Sequence, residues 1–91
     1  MNYILKFTEI AEKDISSLKK SDKRAFEKLS QLLDELKEHP YSGTGKPKTL
    51  KHSLKGLWSR RISKKHRLVY AVYENEITVL IVSAKGHYSD K

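Results

Sequence analysis

Phe26, Leu29, Leu33 and Leu36 recur at spacings of three and four, with Leu32 beside them, and the run then meets His39-Pro40. Such spacing lines one face of a helix with apolar side chains. Proline disfavours helical geometry in the residue before it, so this helix must stop near His39. Upstream, Ala11, Ile15 and Leu18 repeat the pattern behind Thr8, a residue suited to capping a helix whose first turn carries Glu9 and Glu12. Lys19-Lys20-Ser21-Asp22 breaks that first helix, and Ser21 or Asp22 can cap the second. Residues 2–7, with Tyr3, Ile4, Leu5 and Phe7, read as a short strand ahead of both.

Beyond Pro40 the pattern changes. Tyr41 to Lys55 is polar and holds Gly43, Gly45 and Pro47, the marks of a long loop. Leu57 to Ser63, His66 to Tyr73 and Glu76 to Ser83 then read as three strands, the last rich in β-branched residues. Turns at Ser63-Lys64-Lys65 and Glu74-Asn75 separate them, and AKGHYSDK follows as a tail or a short final strand. The order β-α-α-β-β-β predicts one α+β domain over residues 1–91. Its antiparallel sheet has about four to five strands, with the two N-terminal helices packed on one face.

Several classes are excluded at this level. With no cysteine, disulfides and thiolate metal sites are impossible. No His, Asp and Glu set has metal-ligand spacing, so no metal or cofactor is expected. The longest apolar run, Leu68 to Tyr73, is six residues, against the ~20 needed to cross a bilayer. MNYILKFTEIAEKD lacks a basic leader followed by an apolar core, so a cytoplasmic location is the expectation. Gly43-Thr44-Gly45-Lys46 lacks the spacing of a nucleotide-binding glycine loop.

The charge is more informative. From His39 to Tyr73 there is no acid, yet nine of the nineteen Lys and Arg lie there. This stretch carries +9, more than the +8 of the whole chain, so the rest is nearly neutral. A polyanionic partner is implied. A membrane-surface peptide would carry such charge on one amphipathic helix. Here it falls on a loop and strands, which favours nucleic acid.

Strand alternation sorts these cations. Arg61 shares a face with Leu57 and Ser59, opposite Trp58, Arg60 and Ile62. Arg67 shares a face with Val69, Ala71 and Tyr73. If Arg61 and Arg67 point to one side, two guanidinium forks can clamp a phosphate and stabilise charge developing on it. The bland alternative is two solvated surface arginines. Lys46, Lys48, Lys51 and His52 crowd the loop and could form a phosphate-binding rim or a plain solvated loop. A free lysine is a poor base at neutral pH. Neighbouring cations disfavour its charged form, so a cationic pocket could turn a lysine into a usable base. His87 offers a proton donor of suitable strength, and Tyr88 a ring on which an unstacked base can lie. Trp58 reads as sheet packing rather than ligand stacking.

The run GTGKPKTLKHSLKGLWSRRISKKHRLVYAVY, a following hydrophobic strand and the final His-Tyr pair together resemble the YoeB/Txe toxins of the RelE-like superfamily. The resemblance covers essentially the whole chain. It implies the toxin of a type II toxin–antitoxin system, a RelE-like fold and a metal-independent mRNA endoribonuclease acting in the ribosomal A site. In that family the ribose 2′-hydroxyl attacks the adjacent phosphate, leaving a 2′,3′-cyclic phosphate and a 5′-hydroxyl. Matched by motif, Arg67 would stabilise the pentavalent phosphate and Arg61 would assist or bind the backbone. His87 would protonate the leaving group and Tyr88 would position the RNA. Lys46, Lys51 and His52 would line the loop side of the cleft. The family loop reads GKPEPLKH, with a glutamate as general base. Lys48 stands in that place here. With Lys46, Lys51 and the arginines beside it, it is expected to take the base role, as lysines near this place do in RelE-type relatives, and a slower toxin is the alternative. Ser89-Asp90-Lys91 beyond the His-Tyr pair is a second departure.

The resemblance also implies an acidic YefM-like antitoxin covering the cationic cleft, and promoter binding only through that antitoxin. A different class accounts for the same charge: a non-catalytic RNA- or ribosome-binding module that blocks translation by occupancy.

Overall fold

The computed structural model describes residues 2–86. The elements are β1 (Ile4–Phe7), α1 (Glu9–Ser21), α2 (Lys23–Leu36), β2 (Lys48–Thr49), β3 (Trp58–Arg61), β4 (Arg67–Tyr73) and β5 (Thr78–Ser83). Short 3-10 turns occupy His52–Leu54 and Glu74–Glu76. The five strands form one sheet in the order β1-β5-β4-β3-β2.

This is the expected α+β arrangement with one correction. β2, β3, β4 and β5 pair antiparallel, but β1 lies parallel to β5, so the sheet is mixed. Two helices separate β1 from the later strands and let the chain cross over before the sheet is completed. A parallel pair needs such a crossover, whereas the later strands are joined by short turns. The segment 41–55, expected to be loop throughout, contains β2 and a 3-10 turn. β5 begins at Thr78 rather than Glu76, because Ile77 takes a left-handed φ of 48° after the Glu74–Glu76 turn.

Both helices start where side-chain chemistry allows. The Thr8 hydroxyl accepts from the Ala11 N–H at 3.0 Å, and also donates to the Val82 carbonyl at 2.7 Å, tying α1 to β5. Asp22, rather than Ser21, caps α2 by accepting from the Ala25 N–H at 3.1 Å. Each such cap is worth about 1 kcal/mol. Leu18, Leu29, Leu32 and Leu36 are fully buried against Leu68, Tyr70, Val79 and Ile81. Phe26 and Leu33, expected on the buried stripe, are only half-buried at its margin. α2 stops at Leu36, ahead of a buried Pro40. Among the described residues, no helix is long and apolar enough to cross a membrane.

Candidate active site

The sheet face turned away from the helical core gathers cations from three neighbouring strands. Arg61 of β3 and Arg67 of β4 are direct cross-strand partners. Lys48 of β2 pairs with Ser59 of β3, two residues from Arg61. Alternation puts Ser59 and Arg61 on one face, while Leu68, Tyr70 and Ile62 belong to the helix-facing core. A concavity of about 220 Å³ forms there, lined by Gly45, Lys46, Lys48, Ser59, Arg61 and Arg67. Among the described residues, its lining holds four cations and no carboxylate. Arg61 and Lys48 are exposed, and Arg67 is half-buried with Nη1 donating to the Ser63 carbonyl at 3.3 Å. A second concavity of about 340 Å³ shares Gly45, Lys46 and Arg61 and reaches Lys28 of α2.

The loop wall is set by Gly45. Its carbonyl accepts from the Arg61 N–H at 2.7 Å, and its φ is +88°. A Cβ there would lie 3.0 Å from the Arg61 carbonyl oxygen and 3.1 Å from the Arg60 Cβ. The loop can approach β3 this closely only through glycine. Lys46 follows at a positive φ of 52°, which a non-glycine residue adopts rarely.

Arg60 explains why the loop holds its shape. It is fully buried, on the face opposite Arg61. Its guanidinium meets the Glu35 carboxylate at 3.0 Å and donates to the carbonyls of Thr44 at 3.3 Å, Ser42 at 2.8 Å and His39. Nε donates to the Tyr70 hydroxyl at 3.1 Å, and that hydroxyl donates to the Pro40 carbonyl at 2.7 Å. The Thr44 N–H donates to Glu35 at 2.8 Å. This hydrogen bonding to Thr44, followed by the charge of Arg60, holds the Glu35 carboxyl below the usual range against the opposing effect of burial. Residues 39–44 are thus fastened from inside, and Gly45–Lys48 continues from a fixed point. Tyr41 adds an outer tie, packing against Trp58 at 5.2 Å between ring centroids and donating to Glu74. Burial and then Glu74 push the Tyr41 phenol up to about 12.

Of the residues singled out from sequence, Lys46, Lys48, Arg61 and Arg67 come together. Lys51 and His52 do not join them. They line a separate concavity of about 460 Å³ with Thr49, Leu50, Lys55 and Gly56. His87 and Tyr88 lie outside the described residues. Trp58 packs at the core, as expected. Among the described residues, no three His, Cys, Asp or Glu side chains gather as metal ligands. Sequence patterns give Arg60 no role of its own, although its alternation with Arg61 puts it on the helix side. His66 has no distinguishing sequence signal either. It is buried, and its Nδ1 accepts from the Gly86 N–H at 2.8 Å.

The family described as "YoeB-like toxin of bacterial type II toxin-antitoxin system" matches residues 7–88. The chain belongs to the YoeB toxin family. It is 46% identical to "Toxin YoeB" of Escherichia coli (strain K12) over 68 residues, which cover 75% of this chain and 79% of that protein. Among solved structures, the "YoeB/ParE toxin from Agrobacterium tumefaciens" superposes with a TM-score of 0.87 at 34% identity, covering 93% of this chain and 99% of that one. The toxin chain of the "YoeB-YefM complex from Staphylococcus aureus" gives 0.81 at 34% identity, covering 97% and 100%. As a YoeB-family toxin, the chain pairs a RelE-like α+β fold with a cationic concavity built by Lys46, Lys48, Arg61 and Arg67.

Proposed function

We propose that this YoeB-family toxin is an endoribonuclease that cuts mRNA in the ribosomal A site. The carrying observation is the pairing of Arg61 with Arg67 across β3 and β4, on the rim of a concavity whose described lining is cationic. Two like charges directly opposite on a sheet are destabilising unless an anion lies between them. A phosphodiester supplies that anion, and guanidinium forks match its oxygens.

In the proposed reaction the ribose 2′-oxygen attacks phosphorus as the bond to the 5′-oxygen breaks. Lys48, standing where the family places its general base, takes the 2′-hydroxyl proton. Arg67 carries the charge developing on the phosphoryl oxygens, and Arg61 and Lys46 hold the backbone. His87 gives a proton to the leaving 5′-oxygen, and Tyr88 positions the RNA. The products are a 2′,3′-cyclic phosphate and a 5′-hydroxyl, and RNA provides its own nucleophile, without a metal. Lys51 and His52, which line a different concavity, bind RNA outside the reacting phosphate.

The partner is an acidic antitoxin of the YefM kind. The chain's net charge of +8 supports this, as does the YefM complex of the Staphylococcus aureus relative. DNA is reached only through that antitoxin, and the toxin works in the cytoplasm on the ribosome. Mapping RNA 5′ ends after induction tests the reading. Discrete new ends inside translated codons, lost in Arg67→Ala, are expected. Growth arrest with intact mRNA would instead mark a module that blocks translation by occupancy.

A further inference from the structure

The chain is held just before His87 by groups that the proposed chemistry does not use. After β5, the Ala84 N–H donates to Asp14 Oδ2 of α1 at 3.0 Å. The Gly86 N–H donates to His66 Nδ1 at 2.8 Å. The Arg67 N–H donates to the Gly86 carbonyl at 2.9 Å. Both backbone groups of Gly86 are therefore engaged, one by a side chain and one by the residue proposed to stabilise the phosphate. Lys85 adds an exposed bond from Nζ to the Ser17 hydroxyl at 2.8 Å.

His66 is well suited to this task. Its side chain is 11% exposed, and Nδ1 of its ring is held by the Gly86 N–H. Nε2 faces Asp22 Oδ2 at 3.9 Å, and Asp22 is itself fixed as the cap of α2. An Nδ1 that accepts from a backbone N–H carries no proton, so Nε2 bears it, toward Asp22. The His66 carbonyl accepts from the Ile62 and Ser63 N–H groups at 3.0 and 3.2 Å, which anchors the residue to the end of β3. Gly86 turns at a φ of +73°, and among the described residues nothing within 4 Å would meet a Cβ there. Glycine is therefore favoured at this point by backbone direction.

We infer that Asp14 and His66 are positioning residues: they anchor Ala84 and Gly86 beside Arg67, and this anchorage is what makes His87, next in sequence, effective as the acid. The inference rests on the reading of His87 given above. Asp14 sits on a helix, and His66 is committed to Gly86, so neither touches the reacting atoms. Their contribution is geometric. A catalytic group displaced by about an ångström can lose on the order of 100-fold in rate.

The test is single-turnover cleavage on programmed ribosomes, with amide exchange at Ala84 and Gly86 and thermal melting measured on the same proteins. Asp14→Ala and His66→Ala should each slow cleavage about 10- to 100-fold while ribosome affinity holds. Gly86 exchange should accelerate in His66→Ala. Asp14→Asn and His66→Asn keep an oxygen acceptor close to the lost atom and should recover most of the rate. In a His87→Ala background, His66→Ala should cost nothing further, because both changes remove the same contribution. Wild-type cleavage by His66→Ala beside an impaired His87→Ala overturns the inference alone. So does a loss that the asparagine variants fail to rescue and that follows the melting temperature. Wild-type cleavage by His87→Ala overturns the acid assignment and the inference with it.

Discussion

Arg61 and Arg67 face each other across β3 and β4 with no carboxylate among the described residues lining their concavity. Arg67 is half-buried and fastened to the Ser63 carbonyl, whereas Arg61 is exposed. The fixed member suits the reacting phosphate and the exposed one suits the flanking backbone. Arg67→Ala is therefore expected to lower single-turnover cleavage more than Arg61→Ala. Arg61→Gln should relieve like-charge repulsion and stabilise the free protein by a few tenths of a kcal/mol, within the range of ~0.2–1 kcal/mol for cross-strand pairs. Cleavage rates of Arg67→Ala and Arg61→Ala check the first statement, and thermal melts of Arg61→Gln beside wild type check the second.

Lys48 sits where the family resemblance puts a glutamate, and its strand partner is Ser59. Lys48→Ala is expected to slow ribosomal cleavage by at least about tenfold, roughly 1.4 kcal/mol of barrier. Lys48→Glu should preserve or raise activity, since a carboxylate at this edge can accept the 2′-hydroxyl proton. An unchanged rate in Lys48→Ala would remove the residue from the mechanism.

Glu35 supports the site from the far side of the sheet. Removing it leaves the Arg60 charge buried without its counter-ion, a change worth about 3 kcal/mol or more. Glu35→Ala should therefore lower the melting temperature by more than about 10 °C. The pH dependence has a definite sign. The folded state holds the Glu35 carboxyl below its ordinary value, through Thr44 first and Arg60 after it. Its contribution is complete above the unfolded carboxylate pKa, near ~4.3, and fades as pH falls through the lower folded value. The melting gap between wild type and Glu35→Gln should shrink as pH is lowered below that point. A gap constant from about pH 6 to about pH 3 would contradict this account.

Gly45 couples the loop to the strand. In Gly45→Ala the new methyl group meets the Arg61 backbone at a φ that alanine tolerates poorly. A loss exceeding about 1 kcal/mol is expected. Cleavage should fall further than melting predicts, because Lys46 and Lys48 move with the loop. Gly56→Ala is the comparison: among the described residues its added Cβ would meet nothing within 4 Å, although its φ is also positive, at +96°. Comparable cleavage losses in the two variants would show that close approach is not the cause.

Local sequence carried both helices, four of the five strands and the chemistry on offer. Leucines at helical spacing, Thr8, Asp22, Pro40 and the β-branched run after Ile77 are local signals, and each acts within a few residues of its own position. Alternation likewise puts Arg60 and Arg61 on opposite faces of one strand, because successive side chains in a strand point opposite ways. Which of these residues meet depends on contacts between segments far apart in the chain. β1 pairs parallel with β5 because the chain crosses over through two helices, a long-range choice that no local pattern records. Lys48 joins Arg61 and Arg67 while Lys51, three residues on, faces another hollow, because β2 ends at Thr49 and the chain turns into the 3-10 segment at His52. Arg60 and His66 gain their roles from acceptors and donors distant in sequence, at Glu35 and Gly86. A buried polar group must find a partner, but only the folded chain shows which one.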